Sequence, residues 1–464
     1  MDTVQDRIQQ CEITNDSEVT LSGHFIQILR DVYGHVISDN DSLWVYCDGI
    51  WERLPPKLVK SAIQCFEGLS FVRPSGSPAR VSMTDSKVAG VYKSTMIRRE
   101  ILTDDDFFDD APPGVCFKNG FVSLADVDGE PRIVMHKHSH EHKATMMIDQ
   151  EAPLTKTKPV KFLAFLDELF QGDEDAEMKK TCIQEFLGGA LANISVRYQR
   201  CLLLTGSGAN GKSTLSKIIE LCFPPEHVSS TSPQRWSNEY HLALLANKRI
   251  NICTELPTAD SDVSDIWKAV ISGDKVVARM PYQQPQHMIP KAAHVFSSNH
   301  LPSSKDFSEG FFRRFLIIQL NRNFQKEGAT KNIDEIIESM KEERADIIMW
   351  ALRGAINLIK RGKYQSPISG DEAEIDWRIE ADAVLDFIVS CCNRQDDRGD
   401  FEYLSTVYEE YQSWCSKVGR KALGTRKFAG RLVSLDVTKA KIGGQTKIGL
   451  TMKPKAIWSD WDFH

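Results

Sequence analysis

Long hydrophobic runs are missing from this sequence: no stretch of about 18 uninterrupted apolar residues occurs, and residues 1–12 are polar where a secretory leader carries an apolar segment. The expectation is a chain that neither spans a membrane nor is exported. Paired cysteine spacing is missing too. The eleven cysteines stand singly apart from adjacent Cys391 and Cys392, with no C-x-x-C pair, which excludes the common zinc and dithiol motifs and predicts reduced thiols in a cytosolic protein. Internal repeats and low-complexity segments are absent, and 41% hydrophobic with 26% charged residues excludes wholesale disorder. Nor is there an overall excess of positive charge, since 57 Lys and Arg against 64 Asp and Glu leave a net −7.

The charge is unevenly spread. Between positions 417 and 455, eleven basic residues (Lys417, Arg420, Lys421, Arg426, Lys427, Arg431, Lys439, Lys441, Lys447, Lys453 and Lys455) accompany one acid, Asp436, a local balance of +10 that marks a surface facing a polyanion. At roughly 150 residues per domain, the 464 residues make about three domains. The first 155 or so read as α+β. Asp48-Gly49 and Asn119-Gly120 sit between short apolar runs and predict tight hairpins, while 54–66 reads as a helix. The acidic stretch 104–110 is expected to be a solvated loop; a paired-carboxylate metal site there lacks partners. The alternating His136, His138, His140 and His142 could line one face of a strand and bind Zn²⁺ or Ni²⁺, but a solvated loop is the expectation. Two amphipathic helices follow a linker at 153–159, carried by Phe162, Phe165, Leu166, Leu169, Phe170 and by Ile183, Phe186, Leu187, Leu191. From about 200 to 323 strand-like runs alternate with helices, the pattern of a parallel sheet.

Chemistry concentrates in that alternating region. Gly206-Ser207-Gly208-Ala209-Asn210-Gly211-Lys212-Ser213 fits G-x-x-x-x-G-K-[ST], with a buried-strand run before it and, from Thr214, a helix after it. Backbone N–H groups of such a loop close around phosphates, Lys212 reaches the β and γ phosphates, and Ser213 ligates Mg²⁺, so ATP and Mg²⁺ are the expected cofactors. The run 249–254 ends in Glu255, placed to activate the attacking water or to bind Mg²⁺. The run 292–298 ends in Asn299, an amide that could orient the water or sense the γ-phosphate. Arg313 and Arg314 read either as an arginine finger or as surface charge ahead of a strand.

These elements, in this order and with Lys268 to Arg279 between them close to K-x-x-x-x-G-D-x-x-x-x-R, make residues 162–324 resemble superfamily 3 helicases, most nearly the poxvirus-type primase-helicases and the C-terminal part of phage and plasmid primases. The resemblance implies a multidomain α/β protein: an N-terminal α+β domain (1–155), a helical collar (156–199), an AAA+ type P-loop ATPase core (200–330), a helical extension (331–380) and a C-terminal winged-helix domain (381–464). It implies a homo-hexamer that moves 3′→5′ on single-stranded and forked DNA in the host cytoplasm. A hairpin over 275–291 would enter the ring channel, where Arg279, Tyr282, His287 and Lys291, with Lys268 nearby, are the expected DNA contacts; an ordinary hairpin fits the same residues. The C-terminal domain could bind duplex at an origin, grip DNA without sequence preference, or bind a protein. Two departures matter. Thr254 stands where many members carry a second acid, and no primase half precedes the helicase, so a separate primase and polymerase are expected partners. The rival reading is an ATP-switched origin-binding initiator that recruits another helicase; a packaging or integration translocase is a third.

Overall fold

The structure is a computed structural model that describes residues 1–103, 107–256, 264–280, 284–302, 308–327 and 332–454. The first hundred residues form their own core. Helices Asp2–Gln9, Glu18–Tyr33, Pro56–Gln64 and Asp85–Met96 enclose Val4, Phe25, Leu29, Ile63, Phe66 and Val91. Ser17 and Thr84 start two of these helices by accepting from the N–H of Thr20 and Lys87, the N-cap arrangement that satisfies otherwise orphaned donors. Strands Val36–Asp39, Ser42–Cys47 and Ile50–Arg53 make an antiparallel sheet. Its second turn is the Asp-Gly pair, at φ 50° and 96°, the left-handed values a two-residue hairpin requires.

The acidic stretch departs from the expected solvated loop. Residues 104–106 lie outside the described residues, but the Phe107 and Phe108 rings pack on Trp51 at 5.7 Å and on Trp44 at 4.6 Å. Asp109 is ion-paired with Lys291 and Asp110 with Lys143. Two aromatic rings gain from burial there, and the two carboxylates that follow them, Asp109 and Asp110, each meet a counter-ion. The histidine tract departs in the same way. Its strand ends at His136; His138 Nε2 lies 2.8 Å from the Phe117 carbonyl, the His35 and His140 rings stack at 3.7 Å, and His142 stacks on Phe121 at 4.4 Å. Imidazole rings are flat and partly apolar, so they fill gaps between strands. No cluster of three or more metal-binding side chains occurs among the described residues.

Strands Gly114–Phe117, Gly120–Val127, Glu130–His136 and Met147–Ile148 form a second sheet. Its inner residues Val115, Phe117, Val122 and Leu124 share a core with helices Val160–Leu169, Ala176–Leu191 and Arg344–Arg361. The last two helices approach so closely that a Cβ at Gly188 would strike the Ala351 carbonyl and one at Gly354 the backbone of Gln184, so glycine is required on both faces.

Beyond these helices lies a parallel sheet of five strands in the order Val228–Ser229, Ile250–Cys253, Ala293–Ser298, Cys201–Thr205, Phe315–Gln319. The strands are near-continuous apolar runs because both faces are covered, one by the core just described and one by Trp236, Trp267, Phe312 and Trp377. The chain is thus multidomain α/β with a parallel, P-loop-like core. At the C-terminal side, helices Ala383–Cys391, Leu404–Lys417 and Thr425–Ser434 gather around Phe387, Tyr411, Trp414 and Phe428. The antiparallel pair Lys439–Ile442 and Gln445–Ile448 follows, turning at Gly443 and Gly444 with φ 59° and 81°. All eleven cysteines are free thiols, and among the described residues no helix is long and apolar enough to cross a membrane.

Candidate functional site

The strand Cys201–Thr205 is buried along its whole length and releases the chain at Gly206, with φ 139°. A Cβ at Gly206 would collide with the Leu320 carbonyl and the Asn210 amide. Ala209 and Gly211 take left-handed φ values of 59° and 89°, and the helix Lys212–Leu221 begins at once. The loop therefore curls back over a helix start, whose first N–H groups have no intrahelical acceptor and whose dipole end is positive. Ser207, Gly208, Ala209 and Ser213 are exposed, Gly206 and Gly211 half-buried and Thr214 buried, while Asn210 and Lys212 turn inward at 2% and 8% exposure. Lys212 Nζ donates to Gly206 O at 2.6 Å, to Asn210 Oδ1 at 3.0 Å and to Ser207 O at 3.4 Å. Burial pushes its pKa below the ordinary lysine value.

Strand order brings two further groups to this end of the sheet. Thr205 pairs with Ser298, so Gly206 and Asn299 leave neighbouring strands side by side. On the far side of that strand Cys253 pairs with Phe296, and the Leu256 N–H donates to Ser297 O at 3.0 Å, which holds Glu255 beside the same rim. The strand carrying Asn299 therefore runs between the strand of the phosphate-type loop and the strand of Glu255. Glu255, Asn299 and Ser213 are all exposed there. The Ser213 hydroxyl at the helix start and the Glu255 carboxylate, one strand removed, are thus oxygen groups on the same rim, and the carboxyl-end rim of a parallel sheet is where such folds hold ligands.

The two arginines separate. Arg314 is 8% exposed, and its guanidinium donates to Ser272 Oγ at 2.7 Å and to Gly310 O, so it ties two elements together. Arg313 is exposed. The expected DNA contacts also take distinct places. Strands Val276–Ala278 and Gln286–Met288 pair as a hairpin, with His287 exposed upon it. Tyr282 lies outside the described residues. Arg279 sits 5.8 Å over the Tyr240 ring, Lys268 Nζ donates to Ser308 Oγ at 3.2 Å, and Lys291 is engaged by Asp109 and the Phe108 carbonyl. Neither Lys268 nor Lys291 therefore stands on the hairpin tip.

One part of the site carries no motif. After the strand Phe315–Gln319, the segment 320–324 runs along the loop: Leu320 N donates to Thr205 O at 2.8 Å, Asn323 Nδ2 to Gly208 O at 3.1 Å and Phe324 N to Ala209 O at 2.9 Å. The polar run Asn321-Arg322-Asn323 after a strand is the one sequence signal for it.

Comparison with known proteins bears on the family and the fold. Residues 204–314, which contain the loop, Glu255 and Asn299, match a family described as of unknown function, DUF5906. Residues 379–440 match the family described as Poxvirus D5 protein-like. A protein of Acanthamoeba polyphaga mimivirus named as a helicase is 26% identical over 235 residues, which cover 46% of this chain and 24% of that protein. This chain thus spans about a quarter of the length of the curated relative it matches. An apo structure of the NrS-1 C-terminal region aligns over 95% of this chain and 100% of its own, with a TM-score of 0.50 and 14% identity, a likeness of fold; its A form aligns over 92% and 98% with a TM-score of 0.49 and 13% identity. The chain is similar to viral helicase-like proteins, and its C-terminal part carries a poxvirus D5-like segment.

Proposed function

We propose that this protein is an ATP-dependent DNA helicase of superfamily 3 type, serving the replication of a virus, phage, plasmid or satellite as a homo-hexamer that moves 3′→5′ on single-stranded DNA. The observation that carries the reading is the placing of Asn299 between the loop of Lys212 and the strand end of Glu255, on one rim of a five-stranded parallel sheet. In this reading Lys212 and the N–H groups of 206–214 hold the phosphates, and Ser213 and Glu255 hold Mg²⁺. Bound Mg²⁺ supplies neutralisation of the charge that develops on the transferring phosphoryl group. Glu255 takes the proton of the attacking water and Asn299 fixes that water's orientation. Arg313, the exposed member of its pair, is the finger offered to the neighbouring subunit, and Arg314 holds it in place. The exposed hairpin around His287 is the DNA-facing element, with Arg279 behind it.

The C-terminal part supports a winged-helix reading, with Thr425–Ser434 as the helix that enters a groove and the Gly443-Gly444 turn as the wing. The test is unwinding of a forked duplex with a free 3′ arm by the wild type, Lys212→Ala and Glu255→Gln. Strand separation lost in both variants, with nucleotide binding kept in Glu255→Gln, is the expected result. A wild type that hydrolyses ATP and binds DNA yet separates no fork of either polarity would instead be an ATP-switched initiator.

A further inference from the structure

We infer that the segment 320–324 is a second wall of the nucleotide site and that it works through Asn210, a positioning residue that aims Lys212. The inference rests on the nucleotide reading of the loop and adds to it a part that no motif marks. Asn210 is 2% exposed, so its side chain faces the protein and not the concavity where phosphates would lie. Its two ends meet partners that leave it one orientation. Lys212 Nζ has only hydrogens to give and takes Oδ1 at 3.0 Å; the Leu320 carbonyl can only accept and takes Nδ2 at 3.2 Å. Turning the amide over would set N–H against ammonium and oxygen against oxygen. Leu320 is itself fixed, because its N–H donates to Thr205 O at 2.8 Å.

Lys212 needs such a guide. A lysine side chain has four rotatable bonds and carries a point charge with no directional preference, so its position must come from its acceptors. Two of these, Gly206 O and Ser207 O, are carbonyls of the loop itself. Asn210 Oδ1 is the acceptor anchored from outside the loop, at the end of the strand that pairs with Cys201–Thr205. The same segment braces the loop twice more, through Asn323 to Gly208 O and Phe324 to Ala209 O. At its other end that strand begins directly after Arg313 and Arg314, and the Arg314 carbonyl accepts from Cys201 N at 2.7 Å. One strand thus joins the arginine pair to the acceptor that aims the lysine.

The experiment is a double-mutant cycle on the full chain, reading the affinity for a fluorescent ATP analogue with Mg²⁺ in the wild type, Asn210→Ala, Lys212→Ala and the double variant. Loss of a hydrogen bond to a charged group predicts about a tenfold weakening in Asn210→Ala, with no further weakening when Lys212 is already alanine. Asn210→Ser, which keeps a polar group but lacks the reach to Lys212, should match Asn210→Ala, and melting temperatures identify any variant that fails to fold. Equal losses in both backgrounds, or no loss in either single Asn210 variant, would overturn the inference while leaving the nucleotide site intact. A wild type that binds no nucleotide would remove the site itself.

Discussion

His294 shows how a single side chain can be out of step with its surroundings. It is 1% exposed in the central strand, its ring lies 4.9 Å from that of Trp236, and neither ring nitrogen has a hydrogen-bond partner. Burial pushes its pKa from the ordinary 6.5 down to about 3, so the folded protein holds it neutral. The unfolded chain takes up a proton below pH 6.5 that the folded chain refuses. Stability therefore falls with pH between about 6.5 and 3, by about 1.4 kcal/mol per pH unit for this one group. His294→Phe places an apolar ring of similar shape in an apolar setting. Urea unfolding should show His294→Phe more favourable at pH 5 than at pH 7 by about 2 kcal/mol, over and above any gain at both from removing two unpaired nitrogens. An equal effect at both pH values would mean that His294 finds a partner and stays protonatable in the fold. No sequence pattern announces this residue, because an isolated histidine in an apolar run looks the same whether or not its nitrogens are satisfied.

At the scale of elements, what is legible in the sequence is what local chemistry decides. Asp48-Gly49 turns a hairpin because its residues tolerate left-handed φ, and the loop 206–213 is written in its own glycines and lysine. What is not legible depends on partners far along the chain. Nothing near 206 tells that Leu320 and Asn323 lie against the loop, or that strands 115–124 share a core with a helix beginning at Arg344. The acidic stretch reads as a loop because its charge outvotes two phenylalanines whose receiving surface, Trp44 and Trp51, is about sixty residues upstream. That packing gives Asp109 its grip on Lys291, a tie between the N-terminal region and the segment entering the five-stranded parallel sheet. Both partners are partly exposed, so Asp109→Asn should cost less than about 1 kcal/mol of stability. If Lys291 lies on the path of DNA, the same substitution frees its charge, and affinity for single-stranded DNA at low salt should rise. Unchanged DNA affinity would assign Lys291 to the tie alone.

The molecule as a whole is acidic, with a net −7, while 417–455 alone carries +10, so this segment concentrates the positive charge that would attract a polyanion. Not all of that local charge faces outward. Arg420 is paired with Asp386 and Arg431 with Asp382, acids of the first helix of the same unit and its cap, so these two hold the fold together. Lys421, Arg426 and Lys427 are accessible, the last two at the start of the helix Thr425–Ser434 and Lys421 just ahead of it. Lys439 and Lys441 are exposed on the first strand of the hairpin that follows. The helix start and the hairpin thus each carry accessible cations, the arrangement that a phosphate backbone would meet. The full chain should therefore bind duplex DNA with an affinity that falls steeply as salt rises. Lys421→Glu, Arg426→Glu and Lys427→Glu combined should lower that affinity and flatten the slope of log K against log salt by about one for each phosphate that is no longer neutralised. ATP hydrolysis without DNA should be untouched, since Lys212, Glu255 and Asn299 lie in a separate unit with its own core. A slope that stays the same in the triple variant would place the duplex elsewhere and leave these cations to an acidic protein partner, and loss of basal hydrolysis in that variant would show that the two units are energetically joined.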